Sequence, residues 1–228
     1  MLKLTKSGLV TGSYLLGSIP FSWIFAKMLK GVDLRQTGSG GTGATNAARV
    51  IGLPWAVVAG TLDVLKAFFP TRLAIRRHPN DHLFHLLVAA AAMLGHSRPI
   101  FLGFRGGKAV TPLAGDFFAI AALERKLWDV FKLAIGVFLG AIIGSGGKVS
   151  VGSISGSTAG GVYALELARQ RKVSIWYAVG LAIAAAYIWL MHKENVGRLL
   201  RGEEPNTGRE ILEKIIQLVV RMLGRGHQ

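Results

Sequence analysis

The sequence predicts an all-α membrane protein: about seven transmembrane helices, glycine-rich cytoplasmic loops and a C-terminal amphipathic helix. Three observations carry this. Of 228 residues, 51% are hydrophobic and only 17% are charged, with a mean hydropathy of +0.43. Apolar stretches recur along the chain, separated by short basic or glycine-rich segments. The 30 glycines are many for a soluble domain but ordinary where helices pack closely in lipid. An integral membrane domain over residues 1–205 and an amphipathic tail over 206–228 are expected.

The apolar spans run Leu9–Met28, Leu53–Ile75, Leu83–Phe104, Leu113–Leu123, Leu127–Ile143, Ser157–Ala168 and Ser174–Met191. Lys3 and Lys6 precede the first, as in a signal peptide, but no small-residue cleavage site follows and the stretch is long, so an uncleaved helix is expected. The second span contains Asp63 and Lys66, which share a helix face at i, i+3 and can pair, the usual way a membrane helix tolerates charge. Around the start of the third lie His78, His82 and His85, with Asp81 as the only nearby carboxylate, so no metal site is expected there. The fourth falls short of the roughly 20 residues needed to cross and could be re-entrant. The sixth could begin upstream, at Val151. Seven crossings place the two ends on opposite faces, and the Lys/Arg excess favours a cytoplasmic C-terminus. After Gly202 the pattern changes: Thr207-Gly-Arg-Glu210 fits a capping box ahead of an apolar series from Ile211 to Leu223 at helical spacing.

A formal charge of +15 raises the question of nucleic acid. The basic residues, however, mark segment ends and the tail rather than one face or stripe, so lipid head groups are the expected partners and nucleic acid is not. With no cysteine, disulfide frameworks and thiolate metal sites are excluded.

The chemistry concentrates in two glycine-rich loops. The first reads Thr37-Gly-Ser-Gly-Gly-Thr-Gly-Ala-Thr-Asn46, followed by Arg49; the second reads Phe104-Arg-Gly-Gly-Lys108. Glycines let backbone N–H groups approach an anion, and Arg, Lys and Ser supply further donors. Both loops fall on the same predicted side, next to apolar spans, which points to a phosphorylated ligand handled at a membrane surface. Gly38-x-Gly40-x-x-Gly43 matches a dinucleotide fingerprint and Asp63 stands about twenty residues on, but no buried strand precedes it and Asp63 lies inside an apolar span. Gly-Gly-Lys108 is not a P-loop: Leu102 stands where the first glycine is required, and Ala109 replaces the magnesium-binding Ser or Thr.

Three motifs together resemble the acyl-phosphate-dependent glycerol-3-phosphate acyltransferases of bacteria. Gly38-Ser-Gly-Gly-Thr-Gly-Ala-Thr-Asn46 with Arg49 is similar to that family's first motif, and Leu62-Asp63-x-x-Lys66 to the segment after it. Gly95-His96-x-x-Pro99-x-Phe101-x-x-Phe104-Arg-Gly-Gly-Lys108 resembles the second motif. Lys148-Val-Ser150-Val-Gly-Ser153 sits where the family has a basic, serine-rich loop. His192-x-x-Asn195-x-x-Arg198-Leu-x-x-Gly202-x-Glu204 resembles the third. The resemblance spans residues 11–205 in order.

It implies a seven-helix domain in the bacterial inner membrane, with an active site facing the cytoplasm. The implied reaction moves an acyl chain from acyl phosphate to the 1-hydroxyl of glycerol 3-phosphate, giving lysophosphatidate, with no cofactor or metal. Glycerol 3-phosphate, acyl phosphate and membrane lipids are the implied partners. Ser39, Arg49 and Lys108 match phosphate-binding positions; Asn46, Ser150, His192 and Asn195 match polar positions around glycerol 3-phosphate. The amides of Gly40, Gly41, Gly43, Gly106 and Gly107 could cradle phosphate or the carbonyl oxygen. Taken singly, Ser39 and Asn46 could instead cap turns, and Arg49, Lys108 and Arg198 could snorkel. His96 is expected to order a loop. Gly41 replaces the family's Asn, Ala67 and Ala109 replace Gly, Arg105 replaces Lys, and Thr111-Pro112 replaces Ala-Thr. A catalytically impaired relative and a phosphorylated-metabolite carrier are the alternative readings.

Overall fold

The computed structural model describes residues 5–213, which contain helices and no strand. The helices are α1 (Lys6–Gly17), α2 (Phe21–Lys30), α3 (Ala44–Ile51), α4 (Leu53–Arg77), α5 (His82–Ser97), α6 (Val110–Ala121), α7 (Leu127–Gly144), α8 (Val149–Arg169), α9 (Ile175–Met191) and α10 (Lys193–Leu200). Single 3₁₀ turns occupy Leu34–Gln36 and Ile100–Leu102.

The expected first span is a helix broken at its middle. Pro20 has no N–H to continue the ladder from α1, and α2 restarts at Phe21. A backbone break at membrane depth must be satisfied internally. Lys66 does this from α4, its ammonium donating to the Ile19 carbonyl at 2.7 Å while pairing with Asp63 at 2.7 Å. Both charged side chains are almost completely buried. The expected Asp63–Lys66 pair is therefore present, and it also closes the break in the neighbouring span.

The count of seven apolar spans is not reached on length and apolarity. Among the described residues four stretches are long and apolar enough to cross: Lys6–Lys30, Leu53–Arg77, His82–Leu102 and Leu127–Gly144. A fifth follows if α9 and α10, bent by 56° at His192, are one span. The shortfall has two causes. Helix α6 has only 12 residues, about 18 Å of rise. Helix α8 has 21 residues and starts at Val149, upstream of the expected Ser157, but four serines and four glycines lower its apolarity.

Those glycines have a packing reason. Gly152, Gly156 and Gly160 repeat every fourth residue and lie against α7. A Cβ on Gly152 would fall 2.7 Å from the Phe138 carbonyl oxygen, and one on Gly156 would fall 2.8 Å from that of Ala134. Such small-residue stripes let helix backbones meet in lipid, where burial gives no hydrophobic drive. Beyond the interface, Phe117, Ile120, Leu127, Val130, Leu167 and Tyr177 form an apolar core that ties α6 to α7, α8 and α9. His85 braces its edge: Nε2 donates to the His78 carbonyl at 2.7 Å, which leaves Nδ1 to accept from the Tyr177 hydroxyl at 2.9 Å. This packing leaves the N-termini of α3, α6 and α8 around one cavity.

Candidate active site

A polar cavity of about 250 Å³ gathers residues from every motif: Ser39, Gly41, Gly43, Asn46, Arg49, Gly107, Lys108, Ser150, His192 and Asn195. Gly40 and Gly106 do not line it. The cavity is built for an anion in two ways. First, α3, α6 and α8 all begin at its wall, and their N-cap positions, Gly43, Ala109 and Lys148, form no side-chain capping bond. Each helix start carries unsatisfied N–H groups and about half a positive charge. Second, Arg49, Lys108 and Arg198 face the same space. Burial, with the Arg198 guanidinium next, pushes the Lys108 ammonium down to about 8, against the pull of Glu204 and Glu194.

Glu204 is the internal counter-charge. Its Oε1 accepts from the Ser150 hydroxyl and the Asn195 amide, both at 2.6 Å, and its Oε2 accepts from Arg198 at 2.8 Å. These bonds outweigh burial and hold the carboxyl below its ordinary range. One carboxylate thus joins the N-terminus of α8 to helix α10. Asn195 keeps its Oδ1 buried and without a partner among the described residues. The imidazole of His192 donates from Nδ1 to the Ile188 carbonyl at 2.8 Å, which leaves Nε2 as an acceptor.

Several predicted site residues have a different local role. The Asn46 amide donates to the carbonyls of Leu34, Thr37 and Gly41, while its Oδ1 accepts from the Ser39 N–H. Its side chain organises the first glycine loop while lining the cavity. Gly40 donates its N–H to the Thr37 carbonyl in a tight turn with φ of +71°. Gly107 donates to the His96 carbonyl, and Gly106 backs onto the end of α5. Among the described residues the amides of Gly41 and Gly43 have no internal acceptor, and these remain the candidate cradle. His96 lines the cavity floor, with Nδ1 3.6 Å from Asp63. Ala109 has φ of +61° and is fully buried, so a methyl occupies a left-handed position directly after Lys108.

The capping box at Thr207 is not formed. Thr207 is already helical, and the carbonyl of Asn206 accepts from Arg209 and Glu210. Both box side chains turn instead to Arg49, which donates to the Thr207 hydroxyl and lies 3.7 Å from Glu210. The rest of the expected amphipathic helix, from residue 214, lies outside the described residues. Sequence reading did not place Glu204, Thr207 or Ser153 in the site, although all three line the cavity. A signal existed for Glu204: Gly202 adopts φ of +73°, reversing the chain after α10 and returning the next carboxylates towards it.

An apolar cavity of about 220 Å³ adjoins the polar one, sharing Val110, Phe138 and Ser153 with it. Its other walls include Val130, Ala134, Gly156 and Ile188. The two cavities together suit an amphiphile with an anionic head and an apolar tail.

Comparison with known proteins gives a consistent picture. The family model described as glycerol-3-phosphate acyltransferase matches residues 8–202. A glycerol-3-phosphate acyltransferase of Anaeromyxobacter sp. (strain Fw109-5) is 41% identical over 199 residues, covering 86% of this chain and 93% of that one. Its counterpart in Halalkalibacterium halodurans is 37% identical over 203 residues, covering 89% and 95%. The crystal structure of PlsY (YgiH), an integral membrane glycerol 3-phosphate acyltransferase, in its glycerol 3-phosphate form superposes with a TM-score of 0.77 at 36% identity. That match covers 88% of this chain and 94% of the other. The lysophosphatidic acid form gives a TM-score of 0.74 at 33% identity, covering 90% and 97%.

Proposed function

We propose that this chain, which belongs to the glycerol-3-phosphate acyltransferase family, takes its acyl group from an acyl phosphate and releases lysophosphatidate and phosphate at the cytoplasmic face of the bacterial inner membrane. The observation that carries the donor assignment is the cavity pair: three uncapped helix N-termini and three cations surround a polar space that continues into an apolar one. Two phosphate groups and one acyl chain match that inventory.

The chemistry needs little from the protein beyond position and charge. Acyl phosphate is a mixed anhydride with an activated leaving group. The 1-hydroxyl oxygen attacks the acyl carbon, the carbon–oxygen bond to phosphate breaks, and the departing phosphate takes the hydroxyl proton. Ser39, Arg49 and Lys108 hold phosphate, and the free amides of Gly41 and Gly43 supply further N–H donors. The unpartnered Asn195 Oδ1 and the His192 Nε2 accept from glycerol hydroxyls and fix the nucleophile. Helix dipoles and cations stabilise charge developing on the carbonyl oxygen.

Donor choice is the experimental test. Purified protein in detergent, given glycerol 3-phosphate, should form lysophosphatidate from palmitoyl phosphate and none from palmitoyl coenzyme A. Equal use of both donors would remove the assignment. The carrier reading draws on the two broken spans, at Ile19 and at His192. Against it, Lys66 fills the first break, and neither Ile19 nor Lys66 lines the polar cavity.

A further inference from the structure

The family match ends at residue 202, yet the chain beyond it reaches into the anion cavity. Pro205 and Thr207 line that cavity, and Arg49 on α3 donates to the Thr207 hydroxyl. Glu210 lies 3.7 Å from the Arg49 Nε. On the other wall, the Gly208 N–H donates to the Gly147 carbonyl at 2.8 Å, in the loop that leads into α8. A Cβ on Gly147 would lie 2.6 Å from the Arg209 nitrogen, so the two backbones are in close contact. Residues 205–210 therefore run from one side of the cavity to the other and hold one of its cations.

We propose that this strap is a working part of the anion site. Thr207 is a positioning residue that orients the Arg49 guanidinium, and Glu210 is a resident counter-ion that an incoming phosphate displaces from it. The inference rests on the acyltransferase reading for the identity of the phosphate, and on the contacts alone for the exchange. Glu210 is half exposed and its carboxylate is 3.7 Å away, which places its competition in the range of a surface ion pair. Thr207 is 4% exposed, so Arg49 has no solvent substitute for it there.

The test titrates full-length protein in detergent with inorganic phosphate by calorimetry and measures the KM for glycerol 3-phosphate alongside. Glu210→Gln should tighten phosphate binding about two- to fivefold, a gain that damage to the fold would not produce. Thr207→Val should weaken it about tenfold, and Thr207→Ser should restore it. An unchanged or weaker phosphate affinity in Glu210→Gln, or a Ser variant as weak as Val, overturns the strap. The phosphate titration needs no turnover, so the two readings fail separately. Wild-type protein that makes no lysophosphatidate but shows these affinity shifts removes the acyltransferase assignment and keeps the strap. Normal turnover with unshifted affinities does the reverse.

Discussion

Raising the pH through 8 should switch the enzyme off without unfolding it. Lys108 sits among Arg198 and Arg49, partly removed from water, and its ammonium is pushed down to about 8. At pH 7 about nine-tenths of the molecules then carry a charged Lys108, and at pH 9 about one-tenth. With a neutral amine the phosphate site loses one of its three cations, so kcat/KM should fall about tenfold per pH unit above the pKa. A bound phosphate stabilises the ammonium, so the alkaline limb of kcat should lie at higher pH than that of kcat/KM. The stability effect has the opposite sign. The folded pKa lies below the ordinary 10.5 of lysine, so between about pH 8 and 10.5 the unfolded chain binds the extra proton and Lys108 contributes rising stability. Activity should therefore decline where the melting temperature, as far as this residue sets it, does not. The assay is lysophosphatidate formation from pH 6.5 to 10, corrected for spontaneous hydrolysis of the donor, beside thermal melting in the same buffers. Lys108→Arg keeps a permanent charge, and whatever its absolute rate, its profile should lose the limb. A limb near pH 8 that persists in Lys108→Arg, or a wild-type profile flat to pH 10, would refute the role given to this lysine.

Other perturbations probe the framework. Glu204→Gln puts an NH₂ group where a carboxylate oxygen accepts from Ser150, Asn195 or Arg198; thermal melting should record a loss of about 2 kcal/mol or more, with turnover falling about a hundredfold. Lys66→Met strands the Asp63 carboxylate and the Ile19 carbonyl, a loss of about 3–5 kcal/mol, and adding Asp63→Leu should recover part of the melting temperature. Ala109→Gly relieves a left-handed alanine by about 1–2 kcal/mol but gives up a buried methyl, about 0.8 kcal/mol, and frees the unfolded chain by about 0.4–1 kcal/mol. These nearly cancel, so stability should move by less than about 1 kcal/mol; a loss above about 2 kcal/mol would contradict the positive φ at this position.

How legible the protein was depended on the range of the interaction involved. The all-helical class, the long spans and the two glycine loops follow from local pattern, and the structure returns them. The interior pair of Asp63 and Lys66 was readable because i, i+3 spacing fixes a shared helix face. That the same lysine closes the break at Ile19 was not, since nothing local links residues 47 positions apart. The sixth span reads shorter than helix α8 because Ser and Gly lower its hydropathy while forming the stripe of α8 that packs against α7. In the site, ten of the twelve predicted residues line one cavity. What the sequence leaves open shares a cause: a side chain's partner decides its role. Asn46 lines the cavity and also ties three carbonyls of its own loop, a second role that no local pattern announces, and Thr207 reads as a helix cap but finds Arg49. Glu204 closes the third motif without a role readable from its neighbours, because its partners Ser150, Asn195 and Arg198 are met only after the turn at Gly202.

The most direct measurement follows both products when purified wild-type protein is mixed with palmitoyl phosphate and glycerol 3-phosphate. Lysophosphatidate and inorganic phosphate should appear in equal amounts, and Lys108→Ala and Arg49→Ala should form neither while remaining folded. Phosphate release without lysophosphatidate, or near-normal turnover in either variant, would contradict the assignment of this cavity to acyl transfer.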